Sequence, residues 1–116
     1  MTCKTYYQLV KAANESDEKD AYLSKWALSD IWGAERPNDA EWMQRIETLG
    51  RIWDAVHLTI REIRAATGLS QVKFGQRFAI SNRNIENWEA AVNVCPLYTR
   101  LLLAQAVGLY QPPEIE

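Results

Sequence analysis

Between Phe78 and Ala90 the chain reads FAISNRNIENWEA, and four of these side chains carry hydrogen-bond donors and acceptors at helical spacing. Asn82 and Glu86 are four residues apart, as are Arg83 and Asn87, so each pair shares one side of a helix. Ile85 and Trp88, one turn apart, are assigned to the opposite, buried side. The polar side suits the flat edges of nucleobases. A guanidinium can donate to both O6 and N7 of guanine, an amide can bond N6 and N7 of adenine, and a carboxylate can accept from N4 of cytosine. Base-reading chemistry is therefore the expectation for Asn82, Arg83, Glu86 and Asn87. A solvated helix face has the same general look, so the elements around this one carry much of the weight.

Those elements are short and tightly joined. Ser81 is placed to cap the helix that holds the four polar residues, and only Ala79, Ile80 and Ser81 separate it from the helix before. That preceding helix is capped by Ser70, buries Phe74 and Phe78 four residues apart, and has Gly75 where another helix must cross closely. Upstream, Ile60 and Ile63 face inward on a helix that stops at Gly68, a residue that readily takes the left-handed conformation of a helix terminus, with Leu69 plugging the turn. Two helices joined this closely must cross steeply, as in a helix-turn-helix. A last helix is expected from Pro96 to Gly108, followed by Leu109 as its hydrophobic follower. Leu97, Leu101, Leu102, Leu103, Ala104 and Val107 surround most of its circumference, so it packs under the N-terminal region or forms a homodimer interface.

The stretch GLSQVKFGQRFAISNRNIENWE, residues 68–89, resembles the Cro/repressor type of helix-turn-helix, the Xre family. The matching features are the Gly-Leu-Ser-Gln opening, the aromatic residue three beyond the Gln, the Ile-Ser turn and the Trp-Glu end. The resemblance covers about residues 60–109 and implies sequence-specific binding of double-stranded DNA by a transcriptional regulator, with helix 81–90 in the major groove. It implies that Asn82, Arg83 and Asn87 meet bases and that Gln71 bonds a backbone phosphate. Lys73 and Arg77 would add electrostatic contacts, and Ser70, Ser81 and Asn84 would join them at the two helix starts. Regulators of this kind commonly act as two-fold dimers on paired half-sites. Two positions depart from the family: Ala79 and Ala91 stand where it usually has glycine, and each costs on the order of 1 kcal/mol if positive φ is required there.

The remainder also reads as helix and connector, which makes the fold class all-α: a repressor-like C-terminal half behind a Trp-rich helical extension. Three parts are expected: residues 1–58 for packing, dimerisation or partner binding, residues 59–109 for DNA, and an acidic tail over 110–116. One helix is assigned to residues 4–13. A second is capped by Ser16 and places Tyr22, Leu23, Trp26 and Ala27 on one face. Asn38 and Glu41 form a capping box ahead of Trp42, Ile46, Leu49, Trp53, Val56, Ile60 and Ile63, whose spacings alternate between four and three. The stripe is read as one helix of about 40 Å, with a break near Thr59, where Thr59 and Glu62 offer a second capping box, as the alternative. Such a stripe is core more often than a dimer seam, and Trp26, Trp32, Trp42 and Trp53 are read as core filling rather than as a groove for a partner.

Charge separates the halves. Residues 1–58 hold 7 Lys/Arg against 10 Asp/Glu, a balance of −3, whereas 59–109 hold 6 against 3, a balance of +3. The net −2 of the whole chain argues against indiscriminate polyanion binding. No apolar run approaches a membrane span and no secretory leader is visible, so a cytoplasmic protein with no membrane partner is expected. Cys3 and Cys95 have no metal-ligand spacing and read as reduced thiols. The sole histidine, His57, has no nucleophile motif, phosphate loop or metal cluster beside it. No enzyme, catalytic residue, cofactor or metal is therefore expected. The rival reading is a protein-interaction module, or an antitoxin-like protein, in which the Trp-rich half binds a protein partner.

Overall fold

A computed structural model describes all 116 residues. It holds seven α-helices, one short 3-10 helix and no strand: α1 Cys3–Asn14, α2 Lys19–Ala27, the 3-10 turn Asp30–Trp32, α3 Asp39–Val56, α4 Ile60–Thr67, α5 Gln71–Phe78, α6 Asn82–Glu89 and α7 Leu97–Ala106. The chain is all-α. It divides into two compact units, Met1–His57 with Pro112–Glu116, and Leu58–Gln111.

In the first unit α1 and α2 each pack on α3. α3 begins with the capping box, Asn38 Oδ1 accepting from the Glu41 amide at 2.8 Å and Glu41 Oε1 from the Asn38 amide at 3.3 Å. α2 starts at Lys19 rather than directly after Ser16, because the Ser16 hydroxyl is used one step earlier, accepting from the Glu18 amide and donating to the Glu18 carbonyl. The buried layer is built from Leu9, Val10, Ala13, Tyr22, Ala27, Leu49, Ile52, Ala55 and Val56. Tyr22 donates its hydroxyl to the Leu9 carbonyl at 2.8 Å, and burial pushes that phenol well above its ordinary pKa. Pro112–Glu116 return to the N-terminus, where the Glu116 amide donates to the Met1 carbonyl at 2.9 Å.

The tryptophans depart from the core-filling expectation. None of Trp26, Trp32, Trp42 and Trp53 is fully buried; aliphatic side chains and Tyr22 fill the centre instead. An indole is too large for a thin helical layer and carries an N–H that wants a partner. Three of the four lie beneath polar groups. The Lys25 ammonium is 5.4 Å from the Trp26 ring and the Arg45 guanidinium 5.6 Å from the Trp32 ring, while His57 stacks on Trp53 at 3.8 Å. Trp32 donates its indole N–H to the Trp26 carbonyl at 2.8 Å, whereas that of Trp53 is buried without a partner.

The long stripe is not one helix. α3 ends at Val56, and Thr59, in extended backbone, opens α4 with a complete capping box to Glu62. The His57 ring replaces what the break removes, Nδ1 lying 2.8 Å from the Trp53 carbonyl oxygen and Nε2 2.8 Å from that of Ser16. A terminal carbonyl of α3 thereby finds a partner that the next helical turn would otherwise have supplied. Within α3 the buried line runs through Arg45, Leu49, Ile52 and Val56, offset by one residue from much of the apolar pattern.

In the second unit α4 packs against α5, α6 and α7, and α5 against α6. Ile60, Ile63, Phe74, Ile85, Leu101, Leu103, Ala104 and Tyr110 are buried. α4 stops at Gly68, which is left-handed at φ 70°. Phe78 and Trp88 are only half-buried, the Phe78 ring leaning on Phe74 with centroids 4.9 Å apart. α7 takes Pro96 as its N-cap, and the side chain buried after it is Tyr110, since Leu109 stays 45% exposed.

Candidate functional site

The polar face forecast for α6 depends on how α5 and α6 are held. Ser70 Oγ accepts from the Lys73 amide and Ser81 Oγ from the Asn84 amide, each at 3.2 Å, so both helices begin where their serines cap them. Gly75 makes the crossing possible. A Cβ there would stand 2.6 Å from the Ile80 carbonyl oxygen and 3.7 Å from Ile85 Cγ1. The Ile80 amide donates back to the Gly75 carbonyl at 2.8 Å, and Ala79 turns the chain at φ 56°, ψ 39°. Ala91, after α6, is also left-handed at φ 58°. Both alanines thus adopt the conformation for which glycine is favoured, at roughly 1 kcal/mol each.

A feature that the sequence reading passed over locks the far end of α6. The Glu89 side chain is 1% exposed. Its two oxygens accept from Arg64 of α4, Nη2 and Nε each at 2.8 Å, and Arg61 Nε adds a third bond at 3.3 Å. Arg64 Nη1 also donates to the Leu69 carbonyl at 3.1 Å, tying the turn before α5 to the same carboxylate. Bonding to Arg64, above all, holds the Glu89 carboxyl below the usual carboxylate range against the opposing effect of burial, with Arg61 and Gln71 contributing. The Arg64 guanidinium is raised in turn by its bond to Glu89. Paired bonds between a planar guanidinium and a carboxylate fix orientation as well as distance. The separation of 25 positions between Arg64 and Glu89 hides this pair from any pattern of local spacing.

The forecast residues fall into three groups. Arg83, Glu86 and Asn84 are exposed on α6, as are Lys73 and Arg77 on α5 and the two capping serines. Gln71 and Asn87 are half-buried, and the Asn87 carbonyl accepts from the Val92 and Asn93 amides. Asn82 is engaged within its own helix: Nδ2 donates to Glu86 Oε1 at 2.7 Å, while Oδ1 is sealed from solvent without a partner. Asn82 and Glu86 therefore present themselves as a pair rather than as two separate readers.

Of the six cations in this unit, Arg61 and Arg64 are committed to Glu89, and Arg100 donates to the carbonyls of Cys95 and Leu58. Lys73, Arg77 and Arg83 form no salt bridge, and all three are exposed on α5 and α6. The positive charge of these three, which forms no ion pair, thus lies on α5, where the Arg77 guanidinium also rests 5.6 Å from the Phe78 ring, and on α6, which carries the polar face. Nowhere in the chain do three or more His, Cys, Asp or Glu side chains gather with metal-binding geometry. No helix is long and apolar enough to cross a membrane. In comparisons with protein-family models, with curated proteins and with solved structures, the chain shows no significant match.

Proposed function

We propose that the Leu58–Gln111 unit is a helix-turn-helix that binds double-stranded DNA sequence-selectively, in a transcriptional regulator of Cro/Xre type. The observation that carries this reading is the sorting of cations: three are spent on internal bonds, and the three left over stand together on α5 and α6. α6 then enters the major groove with Arg83 as the principal base reader, flanked by Asn87 and the Asn82–Glu86 pair. Lys73 and Arg77 meet phosphates with Gln71, Ser70, Ser81 and Asn84 around the two helix starts. Three cations per protomer are few for high affinity, so the protein acts as a homodimer on paired half-sites. Val92, Val94, Tyr98 and Leu102, each more than 60% exposed on or just before α7, supply apolar surface for that pairing.

A second reading assigns the first unit to a protein partner, with or without a DNA role for the second. Its half-buried tryptophans and its negative balance favour it.

Selection from a randomised duplex library tests the proposal. Enrichment of a two-fold motif, bound less tightly as salt rises, is expected. Arg83→Ala should then cost about 1–3 kcal/mol on the selected site only, whereas Lys73→Ala should weaken all sequences alike and reduce the log–log salt slope by about 1. A library that yields no motif would overturn the DNA-reading proposal and turn attention to the protein partner.

A further inference from the structure

Arg45, on α3, is a second buried charge, 9% exposed. It forms no salt bridge. Its guanidinium donates Nη1 to the Ala27 carbonyl at 3.1 Å and lies over the Trp32 ring at 5.6 Å. A guanidinium has five N–H donors, and burying it without a countercharge is costly unless something else supplies one. None of its nitrogens is sealed away without a partner. Arg45 lines a cavity of about 450 Å³ within the first unit, together with Met1, Ile31, Trp32, Gln44 and Thr48.

We propose that this cavity binds a small organic monocarboxylate. The carboxylate pairs with the free edge of Arg45, the polar ends of Gln44 and Thr48 stand beside it, and an apolar or aromatic body lies against Trp32 and Ile31. The volume falls within the range of small-molecule sites. A fork of parallel N–H donors matches a carboxylate bidentately. The single charge of the ligand follows from the rest of the lining. Glu41 and Glu114 also border the cavity, and Glu41 Oε1 is already accepting from the Asn38 amide. A second negative charge, as on a phosphate ester, would meet these carboxylates, which already offset the two cations of the lining, Arg45 and the Met1 ammonium. The site stands whether or not the second unit reads DNA, because every residue in it belongs to the first.

Titration of the full chain with benzoate, followed through the NMR signals of the Trp32 indole N–H and the Arg45 Nε–H, tests the proposal. Saturable shifts of both signals are expected, with neutral benzamide binding about tenfold more weakly or worse, because charge-assisted hydrogen bonds are lost. Inorganic phosphate should not saturate the site. Arg45→Met should abolish the benzoate effect. Should that variant unfold, Gln44→Glu decides the matter: the position is exposed, the change is isosteric, and the added charge should weaken benzoate binding several-fold. The absence of saturable shifts, equal binding of benzamide or phosphate, or unchanged binding in a folded Arg45→Met or in Gln44→Glu would each overturn it.

Discussion

The two units handle a buried charge in opposite ways. In the second, Glu89 enters the interior with two arginines around it, and its oxygens are bonded on both sides. In the first, Arg45 enters with a carbonyl and an aromatic face but no carboxylate. The unfavourable energy of the second unit sits in its backbone instead, at the left-handed alanines 79 and 91. Backbone strain of this kind is not relieved by a ligand's charge, only by altering the chain. An unmatched charge can be relieved from outside, by a ligand. The charge of the second unit is satisfied within the fold, whereas the guanidinium of the first is left open to an outside partner.

The sharpest way to break this contrast is to remove one charge from each unit. Glu89→Gln leaves Arg64 and Arg61 facing a neutral amide and should cost about 3 kcal/mol, since losing one partner of a buried pair strands the other. Arg45→Met removes a charge that has no counterpart and loses one hydrogen bond, so the stability of the first unit should move by no more than about 1 kcal/mol in either direction. Denaturant unfolding of both variants, resolved by residue through amide exchange, checks the pair. Equal losses would mean that Arg45 is as fully compensated as Glu89.

Acid should separate the units next. The folded carboxyl of Glu89 is held below its unfolded range, so its contribution is complete above about pH 4.3, the ordinary glutamate value, and disappears as the pH falls through the depressed folded value. Amide exchange in α4 and α6 should accelerate across that interval, and the acceleration should be absent in Glu89→Gln. On the alkaline side the contrast fades, because each unit holds a group raised by burial: Tyr22 in the first and Cys95 in the second. The stability each contributes is present below its unfolded pKa and is lost as the pH rises toward its folded one.

A smaller effect tests the backbone side of the comparison. Ala79→Gly should stabilise the second unit by no more than about 0.5 kcal/mol, the relief of a left-handed alanine less the extra chain entropy of glycine. No stabilisation would show that the turn is unstrained.

Much of the second unit could be read in advance because its signals are local. Ser70, Ser81, Gly68 and the Thr59–Glu62 box each act within four residues of themselves, and each stands where its type required. The break between α3 and α4 was harder to read, since Val56 and Ile60 keep helical spacing across residues that are not helical; the capping box was the better guide. Non-local matters were not legible. Nothing beside Glu89 announces Arg64, and nothing beside Arg45 says that it turns inward. Hydrophobic size is a poor guide to the tryptophans of the first unit, all four of which are half-buried while smaller aliphatic side chains fill the centre. Of the site, the exposed cations of α5 and α6 could be listed from sequence, but the closing of Asn82 onto Glu86 depends on rotamers that spacing does not specify.

The mildest test compares the cysteines, one per unit. Cys3 is exposed, whereas Cys95 is buried, and burial pushes its thiol up to about 11 despite the nearby Arg100 charge. The thiolate is the reacting form, so at neutral pH Cys95 must both ionise against burial and wait for the second unit to open. A thiol reagent should therefore label one site quickly and the other at a rate set by opening. Glu89→Gln should speed the slow phase by roughly the factor its destabilisation implies, about 100-fold for 3 kcal/mol if exposure of Cys95 requires unfolding of the unit. Arg45→Met should leave that phase unchanged. A slow phase indifferent to Glu89→Gln would show that Cys95 is reached by local fluctuation near Pro96, and that the buried Glu89 pair holds α4 to α6 without governing the segment that leads into α7.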